Sequence, residues 1–407
     1  MTRKSLFVGI LMMVVIVLPG FSKELKKELD KSKSINEACE VIRSIIGERT
    51  KPGLFGGTDE EELRDELKTT DSSGRYPIFY PVYNNDVDLT RMVLKYMGSI
   101  DTLYAPDKKS LLQIAAADDG DRTAMIELFL YHKDKPSREY LDYSCKNDGW
   151  TALNIAVSRG NKKIAELLLK HGASPNIVEN DTNTTPLIQV IDCSTKYKSL
   201  DDRFAMVKSL VEYHANVNYE WKPEGTGTSR TPLFLSVTHD YRNITKFLLE
   251  KAAVVNTENK YSEDGLMCSA TALDYAFNKG MSAIAKILLA QPNINVNSEF
   301  KSQQGNNTVT KVSPLFQAVI NSSEDDIKLL LEKGADINNA TNIYMYDMAK
   351  GFRLYDASAL NYACFSGMNE IADLLMEKGA DVNIPLKYED GNTGYYALLS
   401  KINGGGY

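Results

Sequence analysis

Four histidines, His132, His171, His214 and His239, are the side chains best suited to general-base or metal chemistry in this chain. They stand far apart, with no His-Glu-x-x-His and no other ligand spacing, so no metal site is expected. Five cysteines, Cys39, Cys145, Cys193, Cys268 and Cys364, are odd in number and widely spaced, without a Cys-x-x-Cys. That pattern argues against a disulfide framework. The stretch DDGDR at Asp118 to Arg122 lacks the spacing and the closing Glu of a calcium loop. EGTGTSR has two glycines but no P-loop lysine, and no Gly-x-Ser-x-Gly occurs. These absences predict no catalytic residues, no metal and no cofactor.

The elements that carry these side chains repeat. A Thr/Ser-x-Leu turn starts a short apolar helix at SLLQIAA (Ser110), TALNIAV (Thr151), TPLIQVI (Thr185), TPLFLSV (Thr231), TALDYAF (Thr271), SPLFQAV (Ser313) and SALNYAC (Ser358). A second, leucine-rich helix then closes on LLLKHGASPN, LVEYHANVN, LLEKAAVVN, LLAQPNINVN, LLLEKGADIN or LLMEKGADVN. Thr and Ser are good N-caps and Pro is tolerated in the first turn, so each phrase starts a helix cleanly. Gly172, Gly334 and Gly379 fall where a helix ends and the chain turns through positive φ. His171 and His214 are read at matching places near two such ends, where an imidazole suits the helix dipole. In SINEACEVIRSII, Ser34 and Glu37 have capping-box spacing and Ile35, Ala38, Ile42 and Ile45 share a face, which predicts an N-terminal capping helix.

This grammar resembles the ankyrin repeat: Thr-Pro-Leu opening, Ala-rich inner helix, Leu-Leu-Leu outer helix, then Gly-Ala-Asp-x-Asn. Seven units are recognisable between Ser110 and Asn383, an eighth, degenerate one begins at Tyr76, and GYYALLSKI suggests a C-terminal cap. The resemblance implies an all-α solenoid of stacked helix-turn-helix units with long hairpin or finger loops. Residues 1–22 are read as a signal peptide, 23–75 as a charged segment with a capping helix, and 76–407 as the repeat array. One departure stands out. The family's His after the turn Leu is replaced by Gln113, Asn154, Ile188, Phe234, Asp274, Phe316 and Asn361, which calls the usual hydrogen bonding between repeats into question. The turns recur every 34 to 46 residues, so the connecting fingers are long.

Partners of such arrays usually meet the finger tips and the exposed ends of the inner helices. Carried over position by position, the candidate contacts are Trp150, Arg159, Arg230, His239, Lys279, Ile320 and Phe365. Tyr344, Tyr346, Phe352 and Tyr355 are added because they crowd the long finger after Gly334.

Residues 1–22 also set the compartment. Arg3 and Lys4 precede an apolar core from Leu6 to Leu18, 13 residues long, where a membrane-spanning helix needs about 20. With Gly20 and Ser22 at a cleavage site, this predicts a leader cut after Ser22, a bacterial source, a periplasmic or secreted protein and no lasting membrane insertion. Loss of Arg3 and Lys4 takes the formal charge from −7 to −9, which speaks against nucleic acid as a partner. The reading is a non-catalytic, monomeric scaffold for a protein partner. A host-directed effector and a periplasmic accessory factor in oxidative-stress defence are the alternatives.

Overall fold

The computed structural model describes residues 22–50, 60–118, 120–144, 149–192, 197, 199–304, 307–345, 352–384, 386–388 and 393–394. The chain divides into two compact units, Met1–Asp181 and Thr182–Tyr407.

The first unit opens with α1 (Ser22–Lys31), α2 (Ile35–Arg49) and α3 (Glu60–Leu67). Ser34 caps α2, its hydroxyl accepting the Glu37 N–H at 3.2 Å. Glu37 itself accepts the Lys33 N–H at 2.7 Å instead of that of Ser34, so the expected reciprocal box is displaced by one residue. The buried stripe also differs from the expected one. Steps of four bring Ala38, Ile42 and Ile46 into line with Cys39 beside them, while Ile35 is exposed and Ile45 half-buried.

Helix pairs follow: α4 (Phe79–Tyr83) with α5 (Val87–Met97), α6 (Leu111–Ala117) with α7 (Thr123–Leu130), then a single turn α8 (Arg138–Leu141), and α9 (Ala152–Ser158) with α10 (Lys162–Lys170). Inner helices α4, α6 and α9 pack in succession, and so do outer helices α5, α7 and α10. Ala115 and Ala156 are fully buried at the inner contacts, where their small size lets the backbones approach. Gly149 has φ +68°, and a Cβ there would lie 2.5 Å from the Asn180 backbone nitrogen, so this position requires glycine on both counts.

The second unit contains α11 (Pro186–Asp192) with α12 (Leu200–Glu212), α13 (Pro232–Thr238) with α14 (Arg242–Glu250), α15 (Ala272–Asn278) with α16 (Ser282–Leu289), α17 (Pro314–Ile320) with α18 (Glu324–Glu332), and α19 (Ala359–Phe365) with α20 (Asn369–Glu377). The inner helices α11, α13, α15, α17 and α19 stack in chain order. Each fully buried leucine of the paired outer helices, such as Leu248, Leu288 or Leu330, stabilises the stack by roughly 2 kcal/mol.

The expectation of an all-α chain needs amending. The fingers of the second unit form hairpins: β1 (Asn259–Glu263) with β2 (Leu266–Ala270), β3 (Phe300–Gln304) with β4 (Asn307–Val312), β5 (Thr341–Met345) with β6 (Phe352–Ala357), and β7 (Leu386–Tyr388) with β8 (Thr393–Gly394). Neighbouring hairpins also pair with one another, β2 with β3, β4 with β5 and β6 with β7, all antiparallel. Alternation drives this. Asn259, Tyr261, Cys268, Ala270, Phe300 and Ser302 turn inward, while Lys260, Ser262 and Gln303 turn outward. Phe234 of α13 packs beneath Tyr261, Cys268, Ala270 and Phe300 and joins the hairpins to the helices.

Candidate partner-binding surface

The surface depends on how rigidly successive inner helices are held, and that begins at their first turn. Ser110, Thr151, Thr271 and Ser358 each form a full capping box, with Gln113, Asn154, Asp274 and Asn361 as the third helical residue. Three of these four also reach beyond their own unit. Gln113 Nε2 donates to the Trp150 carbonyl at 2.5 Å, Asp274 accepts from the Ser298 hydroxyl at 2.7 Å, and Asn361 Nδ2 donates to the Ile384 carbonyl at 3.0 Å. The link that the missing histidine put in question is therefore made by other polar side chains. Burial holds the Asp274 carboxyl above the usual carboxylate range, against the opposing hydrogen bonds from Ser298 and Thr271.

Where that third residue is aromatic, packing replaces the bond. Phe234 meets Tyr261 and Tyr275 with ring centroids 5.3 and 5.2 Å away, and Phe316 meets Tyr362 at 5.3 Å. Asn259 of β1 then accepts the Thr231 N–H at 2.8 Å.

Farther out, the last Asn of three repeat phrases, Asn218, Asn256 and Asn297, clamps the next repeat. Asn218 accepts the Val254 N–H at 2.8 Å and donates to the Ala252 carbonyl at 3.3 Å. Asn256 does the same with Asn295 and Asn293 at 2.9 and 2.7 Å, and Asn297 with Asp336 and Gly334 at 2.8 and 3.1 Å. Buried arginines reach back to helix ends. Arg122 donates to the carbonyls of Val82 and Tyr83 at 2.5 and 3.1 Å, and it pairs with Asp118, whose carboxyl it pulls below its ordinary range. Thus Asp118 and Arg122 of DDGDR anchor one repeat to the next. Arg203 likewise caps α11 through Val190 and Ile191.

The candidate contact residues distribute as follows. Trp150 is half-buried and its carbonyl is engaged by Gln113; Arg159 is half-buried at the C-cap of α9. Arg230 lies over the Trp221 ring at 4.8 Å, which gives it a structural role in its own finger. His239, at the C-cap of α13, is 3.3 Å from Asp192 and stacks on Tyr241. Lys279, at the C-cap of α15, pairs with Glu263 at 2.5 Å. Ile320 is half-buried at the last turn of α17, and Phe365 is 36% exposed at the last turn of α19. His239, Lys279, Ile320 and Phe365 thus occupy equivalent ends of four successive inner helices. Tyr344 lies in β5, and Phe352 and Tyr355 in β6; their side chains, and Tyr346 altogether, lie outside the described residues. Sequence reading missed Asp192 of the preceding repeat, Tyr241 two residues on in the same repeat, and Glu263 of a finger, which set the posture of His239 and Lys279.

Other expectations shift. His214 aligns with Gly172, one place beyond His171: it takes φ +69°, and Tyr213 is the C-cap. His171 is the C-cap of α10, its Nδ1 2.8 Å from the Leu167 carbonyl. Cys364 is half-exposed, in the last turn of α19. Cys39 and Cys268 are buried; burial pushes the Cys39 thiol up to about 11 and raises that of Cys268. Cys145 and Cys193 lie outside the described residues. Among the described residues, no three His, Cys, Asp or Glu side chains converge as metal ligands would, and no helix is long and apolar enough to cross a membrane.

Stacked helix pairs, capped alike and clamped to their neighbours, define a repeat scaffold that offers a surface. A family model described as ankyrin repeats (3 copies) matches residues 79–181, 112–220, 197–300 and 302–385. The chain belongs to the ankyrin repeat family, whose repeats generally mediate protein–protein interaction and whose domains are typically non-catalytic. It is similar to the ankyrin repeat and KH domain-containing protein mask-1 of Caenorhabditis elegans, 28% identical over 256 residues, 59% of this chain and 9% of that protein. It is also similar to an ankyrin repeat protein of fowlpox virus, 34% identical over 101 residues, 25% of this chain and 27% of that one. The matches therefore span a small part of these relatives. Among solved structures, an ankyrin repeat domain from Acinetobacter baumannii aligns at a TM-score of 0.41 and 20% identity, over 54% of this chain and 95% of that one. The human ASB11 ankyrin repeat domain aligns at 0.39 and 20% identity, over 67% and 99%.

Proposed function

We propose that this protein is an exported, non-catalytic scaffold that holds a protein partner on the inner-helix ends of its second unit. The observation that carries the reading is the row His239, Lys279, Ile320 and Phe365, at equivalent ends of four successive inner helices. Ile320 and Phe365 supply an apolar anchor, and His239 and Lys279 a polar rim whose side chains are oriented by Asp192 and Glu263. Such pre-ordering lowers the entropy lost on binding. Trp150 and Arg159 are the candidates in the first unit.

Export rests on the N-terminal leader pattern. A cut after Ser22 removes the first residue of α1 and leaves the other described helices whole. Burial of Cys39 and Cys268, with thiols held protonated, counts against thiol exchange at those two positions.

The test is affinity capture from the source organism with the mature chain as bait. Phe365→Ala should reduce recovery of a specific partner by about tenfold, equivalent to roughly 1.4 kcal/mol, with an unchanged unfolding midpoint. Undiminished capture by both Phe365→Ala and Ile320→Ala would remove this row from consideration. Export is checked by the N-terminal mass in the periplasmic or culture fraction, where a chain starting at Lys23 is expected; an intact leader on cytoplasmic protein overturns it.

A further inference from the structure

The outward face of the finger sheet carries a row of basic residues that the inner-helix surface does not use. Register places Lys260 opposite Ser269, Ser269 opposite Lys301, and Lys301 opposite Lys311, in one line across β1 to β4. With strands about 4.8 Å apart, the three lysines lie at roughly 0, 10 and 14 Å along it. Lys260 is exposed, Lys301 and Lys311 are 38% and 40% exposed, and Ser262, Met267, Ser269 and Gln303 complete the outward face of β1 to β3.

The row is under-neutralised. Like charges directly opposite on neighbouring strands destabilise a sheet. Lys301 and Lys311 are such a pair, and one carboxylate serves both: Glu299 lies 2.7 Å from Lys311 and 3.9 Å from Lys301. Lys260 has no carboxylate within ion-pair distance among the described residues; Glu220, in the preceding finger, is paired with Lys222 at 2.8 Å. Three ammonium groups therefore have one ion-paired carboxylate between them, Glu299, with Glu220 near enough to feel the charge of Lys260 without pairing to it, on a chain whose formal charge is −7.

We propose that this face docks a short acidic segment of a protein partner, laid across the strands so that its carboxylates meet Lys260 and the Lys301–Lys311 pair. The net negative charge selects the length of the occupant. Screening confines a charge's influence to about 8 Å at physiological ionic strength, so a few carboxylates sense mainly the lysine row. A nucleic acid or an anionic membrane would extend over the acidic remainder and be repelled. Ser262, Ser269 and Gln303 offer hydrogen bonds beside the row, which suits a peptide backbone.

The experiment is fluorescence anisotropy of a labelled peptide of alternating Glu and Ser, about twelve residues long, titrated with the full chain at low salt. Saturable binding is expected, together with about tenfold weakening in Lys260→Ala/Lys301→Ala and retention within about threefold in Lys260→Arg/Lys301→Arg. Added salt should weaken binding, and a Gln-Ser peptide should not bind. Phe365→Ala should leave the affinity unchanged, which separates this face from the inner-helix row. The proposal is overturned by absence of saturable binding, or by equal affinity in the alanine variant with an unchanged unfolding midpoint. It is equally overturned if a thymidine oligonucleotide or phosphatidylserine vesicles bind as tightly through the same lysines.

Discussion

In the first unit, neighbouring repeats are tied at their outer turns by aspartates, and in the second by asparagines. Asp101 accepts the Ser137 N–H at 3.2 Å, and Asp142 accepts the Ser174 N–H at 2.6 Å. A carboxylate has nothing to donate, so the adjacent carbonyl gains nothing from it. Asn218, Asn256 and Asn297 hold both an N–H and a carbonyl of the next repeat. The same position thus works as a one-point tie at Asp101 and Asp142 and as a two-point clamp at Asn218, Asn256 and Asn297. The clamped region is also the one whose fingers lengthen into paired hairpins. Strands of successive fingers there pair across some thirty residues of sequence.

The largest break in this comparison should come from Phe234→Ala, which empties the space under the hairpins: a loss of about 3–5 kcal/mol in denaturant unfolding. Hydrogen exchange should quicken first in β1 and β2, and a loss below about 1 kcal/mol would mean the sheet stands without that ring. On the other side, Gly149→Ala should cost the first unit about 1–3 kcal/mol through strain and the clash with Asn180.

The clamp itself is tested by exchange. Asn256→Asp removes the donor to the Asn293 carbonyl and should cost about 1 kcal/mol. Asp142→Asn, the reverse change, should stay within about 0.5 kcal/mol of neutral or stabilise slightly; equal losses in both would erase the distinction drawn here.

The smallest effect is a slope. The raised Asp274 carboxyl binds its proton more readily in the folded chain than in the unfolded one. Its contribution to stability is therefore full below the ordinary carboxylate range and is lost as pH rises through the raised value. Asp274→Asn, which imitates Asn154 and Asn361, should flatten that part of a stability-versus-pH curve; an unaltered slope would place the titration elsewhere.

Helix starts were legible in the sequence because Ser110, Thr151, Thr271 and Ser358 need only neighbours three residues away to make their caps. Outer helices were legible from their leucines for the same local reason. The stripe of α2 was misread by one residue at Ile45 against Ile46, since both fit a helical face until the packing neighbours are known. His214 was misplaced because a left-handed residue other than glycine leaves no compositional mark. The alternation in NKYSE and LMCSA could have signalled strands, but pairing between hairpins is a contact over some thirty residues, as for Cys268 with Ser302, and no local pattern encodes it. A still longer separation, 47 residues, hid Asp192 from His239. The row of inner-helix ends was legible as positions, while the ion pairs that orient two of its members were not.

The ladder of hairpins has one joint unlike the rest. Between hairpins, β2 and β3 share three register pairs and β6 and β7 two, whereas β4 and β5 meet through Lys311 and Asn342 alone among the described residues. Viewed as a mechanical object, the sheet is two stiff panels joined by a narrow strip. A load applied to the tips should concentrate there, opening that joint while the hairpins on either side stay intact.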